Sequence, residues 1–461
     1  MPNDANKTSH IDIAQNPDVV DFLQGCSFMR EPTGEEITEI IKHFISMGDV
    51  GNSEKLPDNI ITIDSSSYEA HVREEIPFTN IGYVKLVNSL LKNKELTALK
   101  SSKFVSPFEV AKLTEEKETI TFVLPSSNIK YKDAETTRES FRLALDEYFE
   151  NIREDKADRN TNLKTTLFWL SELRKDGQSN KIVLHQCPNG CGKKYLEVYN
   201  IEEEQYCPQC GKRIFATDSL RLYEEVDESS PTNQGVLGRL EKAIRHIHLA
   251  HLLRILKSKN QNSYLKLFNG LAIVINGPLS IAGTAAWLHG ALMKVIYEIN
   301  LQLRDCGYSD LLIIGLINGG LAITDYAKLI EKHIENNSLL CISDEFRDTY
   351  INFNREASNT TFGNETYYGQ DFIWKNNHGN ILIFNLPYVV KDKTPIEVFK
   401  IEKSDYLKYN NLQRALRLLQ ELRCDLDSSS IAPLVLSKQY TAISMEPGAK
   451  VLDMLSKNNL I

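Results

Sequence analysis

The sequence has no run of the roughly 18–20 apolar residues that a membrane helix needs. A protein anchored by membrane helices is therefore excluded. Its opening stretch, MPNDANKTSHIDIAQNPDVV, holds no apolar signal core, so a cytoplasmic rather than a secreted protein is expected. Basic charge is not in excess: 53 Lys and Arg stand against 62 Asp and Glu, a net charge of -9. A polybasic coat for nucleic acid is thus excluded, and any DNA or RNA would have to meet local basic surfaces. No internal repeat is visible, and the one loop-rich stretch, VDESSPTNQG at 226–235, is short. What is there is ordinary for a globular protein: 461 residues, 42% hydrophobic and 25% charged. That composition rules out wholesale disorder and collagen-like or mucin-like chains. The length suits roughly two to four structural units.

Eight cysteines divide into two groups. Cys26, Cys306, Cys341 and Cys424 are scattered and read as buried thiols of a reducing compartment. Cys187 and Cys191 (CPNGCGKK) and Cys207 and Cys210 (CPQCGKR) form two glycine-ended knuckles. Two such knuckles complete a closed four-thiolate site with no position left for water, which points to structural Zn2+. His185 is close but not needed as a ligand. So small a ribbon folds on the metal's binding energy. Lys193, Lys194, Lys212 and Arg213 beside the knuckles are candidates for a phosphate backbone, against a plain reading as a solvated tip or docking knob.

Helical periodicity begins near 17–26 and again in EPTGEEITEIIKHFISM, where Thr33 and Glu36 have capping-box spacing. Three strand-like segments follow: 60–64 (IITID), 81–87 (IGYVKLV) and 119–124 (TITFVL). A helix is expected over about 134–153. After a long interruption, 271–275 (LAIVI) reads as a strand buried on both faces. A helix (284–303), a second buried strand (310–316, DLLIIGL) and a helix (324–335) come next, then a strand at 381–386 and a helix at about 409–423. Three strands in a meander, joined by later strands through right-handed crossovers, is the order of the ribonuclease H-like fold. The fold class expected is therefore α/β, a ribonuclease H-like mixed sheet with helices and an inserted four-cysteine zinc ribbon.

In that fold the first and fourth strands lie side by side. Carboxylates on them and on the first long helix would converge, and convergent oxygens suit Mg2+ or Mn2+ in phosphodiester hydrolysis. Asp64 fills the first place, Glu139 is the candidate for the second, and Asn276 stands at the third. The plain alternatives are a turn cap for Asp64, a surface ion pair with Arg138 or Arg142 for Glu139, and a turn residue before Gly277 for Asn276. Residues 237–259 form a basic amphipathic helix whose one acid is Glu241. Its apolar stripe suits a core, while Arg245 and Arg254 are candidates for guiding nucleic acid. His246, His248 and His251 sit on offset faces and read as structural rather than as a metal trio.

Segments 63–86 (IDSSSYEAHVREEIPFTNIGYVKL), 124–147, 275–294 (INGPLSIAGTAAWLHGALMK), 367–375 (YYGQDFIWK) and 432–453 (APLVLSKQYTAISMEPGAKVLD) together resemble, in order, the motifs of the NurA nucleases. The resemblance is to the bacterial branch, with a cysteine-rich insertion before the DGPL segment. It implies a ribonuclease H-like core, a Mn2+-dependent DNA nuclease, a homodimer and a HerA-type hexameric DNA-translocating ATPase as partner, acting in DNA repair or antiphage defence. Asp64 matches the family and Glu139 matches in type. Asn276 replaces an expected aspartate, Lys438 an expected histidine, Asn318 a lysine and Arg245 a glutamate. Weak or absent cleavage by the isolated chain is therefore expected. Asp344, Glu345, Glu365 or Asp371 are candidates to supply the missing charge. The domains expected are a helical leader (1–55), the first part of the core (56–180), the ribbon (181–235) and the basic helix with the rest of the core (236–461). The competing readings are an active nuclease, an inactive scaffold or DNA clamp for the ATPase, and a zinc-ribbon nucleic-acid-binding protein.

Overall fold

The computed structural model describes residues 16–26, 32–48, 55–73, 75–76, 78–95, 117–174, 176–261, 263–352, 361–423 and 430–442. Cys424 and the 443–453 end of the last motif lie outside them. The strands are β1 (Ile45–Ser46), β2 (Asn59–His71), β3 (Asn80–Lys92), β4 (Lys117–Ser127), β5 (Lys181–Gln186), β6 (Lys194–Tyr199), β7 (Gln205–Tyr206), β8 (Arg213–Ile214), β9 (Leu271–Asn276), β10 (Leu312–Ile317), β11 (Ser338–Cys341), β12 (Gly369–Lys375) and β13 (Ile381–Pro387). The helices are α1 (Pro17–Gln24), α2 (Gly34–Lys42), α3 (Thr137–Asn151), α4 (Leu163–Glu172), α5 (Gln234–Lys259), α6 (Tyr264–Asn269), α7 (Leu288–Asp305), α8 (Ala322–Ile330), α9 (Ile396–Ser404), α10 (Leu412–Glu421) and α11 (Ala432–Thr441).

Nine strands form one mixed sheet in the order β1-β11-β12-β13-β10-β9-β2-β3-β4. β2, β3 and β4 are an antiparallel meander. β9 joins β2 in parallel, Ile63 opposite Ile275, and β10 joins β9 in parallel. β13, β12, β11 and β1 then extend the sheet antiparallel. The ribbon strands β5–β6 and β7–β8 pair only with each other.

The apolar pattern explains the layering. In β9, Ile273 and Ile275 enter a core cluster with α5 and α7, while Ala272 and Val274 enter another with α10 and α11. Every side chain of LAIVI is therefore buried, as a central parallel strand requires. On the far half, α8 covers the row Ile317, Ile383, Ile373 and Leu340. α2 begins with the expected capping box: Thr33 Oγ1 accepts from Glu36 N–H at 3.2 Å and Glu36 accepts from Thr33 N–H at 2.9 Å. No helix among the described residues is long and apolar enough to cross a membrane.

Two expectations need correction. The first strand does not end on Asp64: β2 runs on through DSSSYEAH to His71, so Asp64 caps no turn. Cys26 and Cys306 are exposed and Cys341 is half-buried, so these are not all buried thiols.

Candidate functional site

The parallel pairing of β2 with β9 brings Asp64 beside Asn276. Asp64 is 1% exposed and its carboxylate takes three hydrogen bonds. Oδ1 accepts from Ser65 N–H at 2.8 Å and from Asn276 Nδ2 at 2.7 Å; Oδ2 accepts from Thr441 Oγ1 at 2.8 Å. A carboxylate can only accept, so Asn276 must turn its NH2 toward Asp64. Its Oδ1 is then left for Asn318 Nδ2, which donates at 3.2 Å. Asn318 also reaches Ser430 Oγ at 3.4 Å. α11 closes this side of the sheet: Ser437 Oγ pairs with Thr62 Oγ1 at 2.7 Å, and Ser66 Oγ donates to Thr441 carbonyl. Lys438 sits on the same helix, half-buried, between Ser437 and Thr441.

On the opposite face of β2, α5 supplies Glu241. Its Oε2 accepts from Ser67 Oγ at 2.8 Å and its Oε1 from Ser65 Oγ at 3.4 Å. One turn along α5, Arg245 donates to the carbonyl of Asn276. Gly277 follows at φ +106, where a Cβ would lie 3.2 Å from Arg245 Nη1. Both the backbone turn and the arginine thus require glycine there. The sequence missed Glu241 as a site residue. The signal was present: it is the one acid on an otherwise basic helix.

Glu139 is not part of this assembly. It lies in the first turn of α3, where its carboxylate accepts from Glu135 N–H at 2.9 Å and its N–H donates to Thr136 Oγ1. Its charge acts on Lys212, Arg213 and Arg142, so it faces the ribbon. α3 packs on the outer strand β4, two strands away from β2, which is why its acid does not reach Asp64. Arg142 pairs with neither Glu139 nor solvent: it grips buried Asp218 at 2.7 and 2.8 Å and also donates to Asn189 Oδ1 in the first knuckle. Of the acids considered as substitutes, Asp371 is buried and bound by Arg347 and Asn385, and Asp344 is bound by Lys403 at 2.5 Å. Both are committed to fastening β12 and α9.

The donor set at Asp64 does not fit Mg2+ or Mn2+. Such sites need several anionic oxygens, and here a single carboxylate already accepts three hydrogen bonds while the partner presents N–H.

The four cysteines do fit a metal. All four Sγ atoms lie within 4.8 Å of one another, with Cys187–Cys210 at 3.8 Å and Cys191–Cys207 at 3.6 Å. A tetrahedron with Zn–S near ~2.3 Å has S···S edges of about 3.8 Å. The cluster can therefore hold an ion such as Zn2+. Gly190 and Gly211 donate back to the Cys187 and Cys207 carbonyls, closing the two knuckles.

The basic residues divide. Lys193 and Lys194 are exposed. Lys212 is paired with Glu135 at 3.0 Å and Arg213 with Asp133 at 2.9 Å. Arg254 spends its donors on Thr166 Oγ1 and on the carbonyls of Asn160 and Asn162, and burial lowers its pKa to about 10. It is a structural strut rather than a phosphate contact. His246 bonds Tyr368 and His251 bonds Thr166, but neither nitrogen of buried His248 has a hydrogen-bond partner. Compared with known proteins, the chain matches no family model, and no curated protein matches it.

Proposed function

We propose that the chain is a NurA-like, ribonuclease H-like subunit that handles DNA ends with a HerA-type translocating ATPase, as a scaffold or clamp rather than a nuclease in its own right. The strand order β4-β3-β2-β9-β10, a meander followed by parallel strands, supports the fold reading. The observation that carries the functional reading is the hydrogen bond from Asn276 Nδ2 to Asp64 Oδ1. Two carboxylates at that separation would repel by several kcal/mol, on the order of 4 kcal/mol or more at an effective dielectric near ~20, unless a cation lay between them. An amide removes the repulsion and with it the need for the cation. The pair then becomes a structural clasp between β2, β9 and α11. A four-thiolate zinc would hold the ribbon, in the cytoplasm, with homodimerisation following the resemblance.

The test is cleavage of a labelled linear duplex with Mn2+. Wild type should cut weakly or not at all, and Asn276→Asp, alone or with Lys438→His, should raise cleavage. Co-purification of a hexameric ATPase would support the partner. A second reading, an active nuclease, would rest on Glu241, which accepts from Ser65 and Ser67 on the face of β2 opposite to Asp64. Robust wild-type cleavage lost in both Asp64→Ala and Glu241→Ala would establish it.

A further inference from the structure

Away from Asp64, two open cavities of about 350 and 380 Å³ share one wall. That wall is Trp287 with Arg174 laid on it, the guanidinium carbon 5.1 Å from the ring centroid. Trp287 Nε1 donates to Ser219 carbonyl at 3.0 Å, which fixes the ring between the cavities.

The first cavity follows the edge of β5 that has no strand partner among the described residues. It reaches Thr284, whose Oγ1 is buried without a partner, and Arg221, a non-glycine residue at φ +56 whose half-exposed guanidinium meets Glu224 at 2.7 Å. His185 stands at its rim, edge-on to Tyr195 at 6.2 Å. Tyr195 is 69% exposed at φ +55, the second residue of β6, just after the first zinc knuckle. A bulky residue in the left-handed region, with its ring in solvent, marks a position held for something other than packing. Lys193 and Lys194 precede it, exposed, with no ion pair among the described residues.

The second cavity carries Lys294, Lys391 and Lys393. Lys393 donates to three backbone carbonyls at 2.6–2.7 Å, and burial lowers it to about 7. Across both cavities Arg174 is paired with Asp176 at 3.4 Å, Arg221 with Glu224 and Lys391 with Glu298 at 2.8 Å, while Lys294 donates to the Leu173 carbonyl at 2.6 Å without an ion pair among the described residues. Asp218, also in the lining, is already neutralised by Arg142. The cations this surface offers beyond its own ion pairs are Lys294 in the second cavity and Lys193 and Lys194 beside Tyr195.

We propose that this groove binds single-stranded DNA, with a base stacked on Tyr195, the next nucleotides seated on either side of the Arg174–Trp287 wall, and the phosphates running past Arg221 and Lys294. The chemistry selects a single strand: exposed aromatic faces and spaced cations recognise unstacked bases and backbone, and a duplex hides its base faces. Each cavity lies near the lower end of the ~300–1,000 Å³ that small-ligand sites occupy, a size for one nucleotide unit. The proposal deepens the DNA-handling reading and rests on it only for the identity of the polymer. It uses none of the residues around Asp64.

The test is fluorescence anisotropy of labelled dT20 with the zinc-loaded full chain, without Mn2+ so that cleavage plays no part. Binding should weaken linearly in log–log with salt, with a slope of about -0.7 for each phosphate neutralised. Tyr195→Ala and Trp287→Phe should each weaken binding by about 5- to 100-fold, and Arg221→Gln should lower the salt slope. Lys400→Gln, on α9, should change nothing. The Tyr195 side chain makes no hydrogen bond among the described residues, so its variant keeps the test valid if Trp287→Phe misfolds. Absence of dT20 binding, equal affinity in all three groove variants, or tighter binding of rU20 or of duplex would overturn the proposal. Because cleavage by Asn276→Asp is read separately with Mn2+, failure of the groove and failure of the clasp reading remain distinguishable.

Discussion

Acid should unfold this protein through three histidines of one helix. His246, His248 and His251 are all buried on α5, and burial lowers their pKa values to about 3, 4 and 2 from 6.5. The unfolded chain takes up these protons first. The stability that the neutral rings represent is therefore complete above about pH 6.5 and is lost progressively as the pH falls from there toward the folded values. One pH unit below 6.5 the loss is about 1.4 kcal/mol per histidine, so about 4 kcal/mol for the three at about pH 5.5. That figure depends on the unfolded value and hardly on the folded ones, provided that they stay below about 5. Against a typical total of about 5–15 kcal/mol it is a large share. His248→Phe isolates one ring. Its two nitrogens have no partners, so the variant should equal or exceed wild type by about 1 kcal/mol at neutral pH. The gap should widen by about 1.4 kcal/mol between pH 7.5 and 5.5, measured by urea unfolding at each pH. Parallel stability–pH curves for the two proteins would refute the reasoning.

Other outcomes follow from the same contacts. Arg142→Ala strands the buried Asp218 carboxylate and detaches Asn189 from α3, so stability should fall by about 3–5 kcal/mol in thermal or urea unfolding. Stripping the metal with a strong chelator, or Cys207→Ser, should release close to one Zn2+ per chain in a colorimetric assay and unfold the ribbon, read as protease cleavage between β5 and β8. Asn276→Asp should melt lower than wild type in chelator and recover with Mn2+, whereas wild type should show no Mn2+-dependent shift.

Much of the frame was legible because periodicity reports burial. LAIVI is apolar on both faces and became the central parallel strand; IGYVKLV alternates and became the middle of the meander. The thiolate cluster was legible because zinc ligands lie close in sequence. β2 was underestimated because Ser65, Ser66 and Ser67 look like turn residues, and what holds them in a strand lies far off, at Glu241 and Thr441. The lid over Asp64 was unreadable for the same reason: the Thr441–Asp64 bond spans 377 positions. Glu139 was misplaced because the spacing said that α3 is a helix but not that it packs on β4 and the ribbon. The antiparallel extension β11–β12 follows from pairing with β13, which no local pattern announces.

The clasp between Asp64 and Asn276 is tested most directly by gel-resolved cleavage of an end-labelled linear duplex in Mn2+, wild type beside Asn276→Asp. A neutral clasp predicts an intact substrate with wild type and shortened products with the variant. Rapid degradation by wild type, abolished in Asp64→Ala, would contradict it.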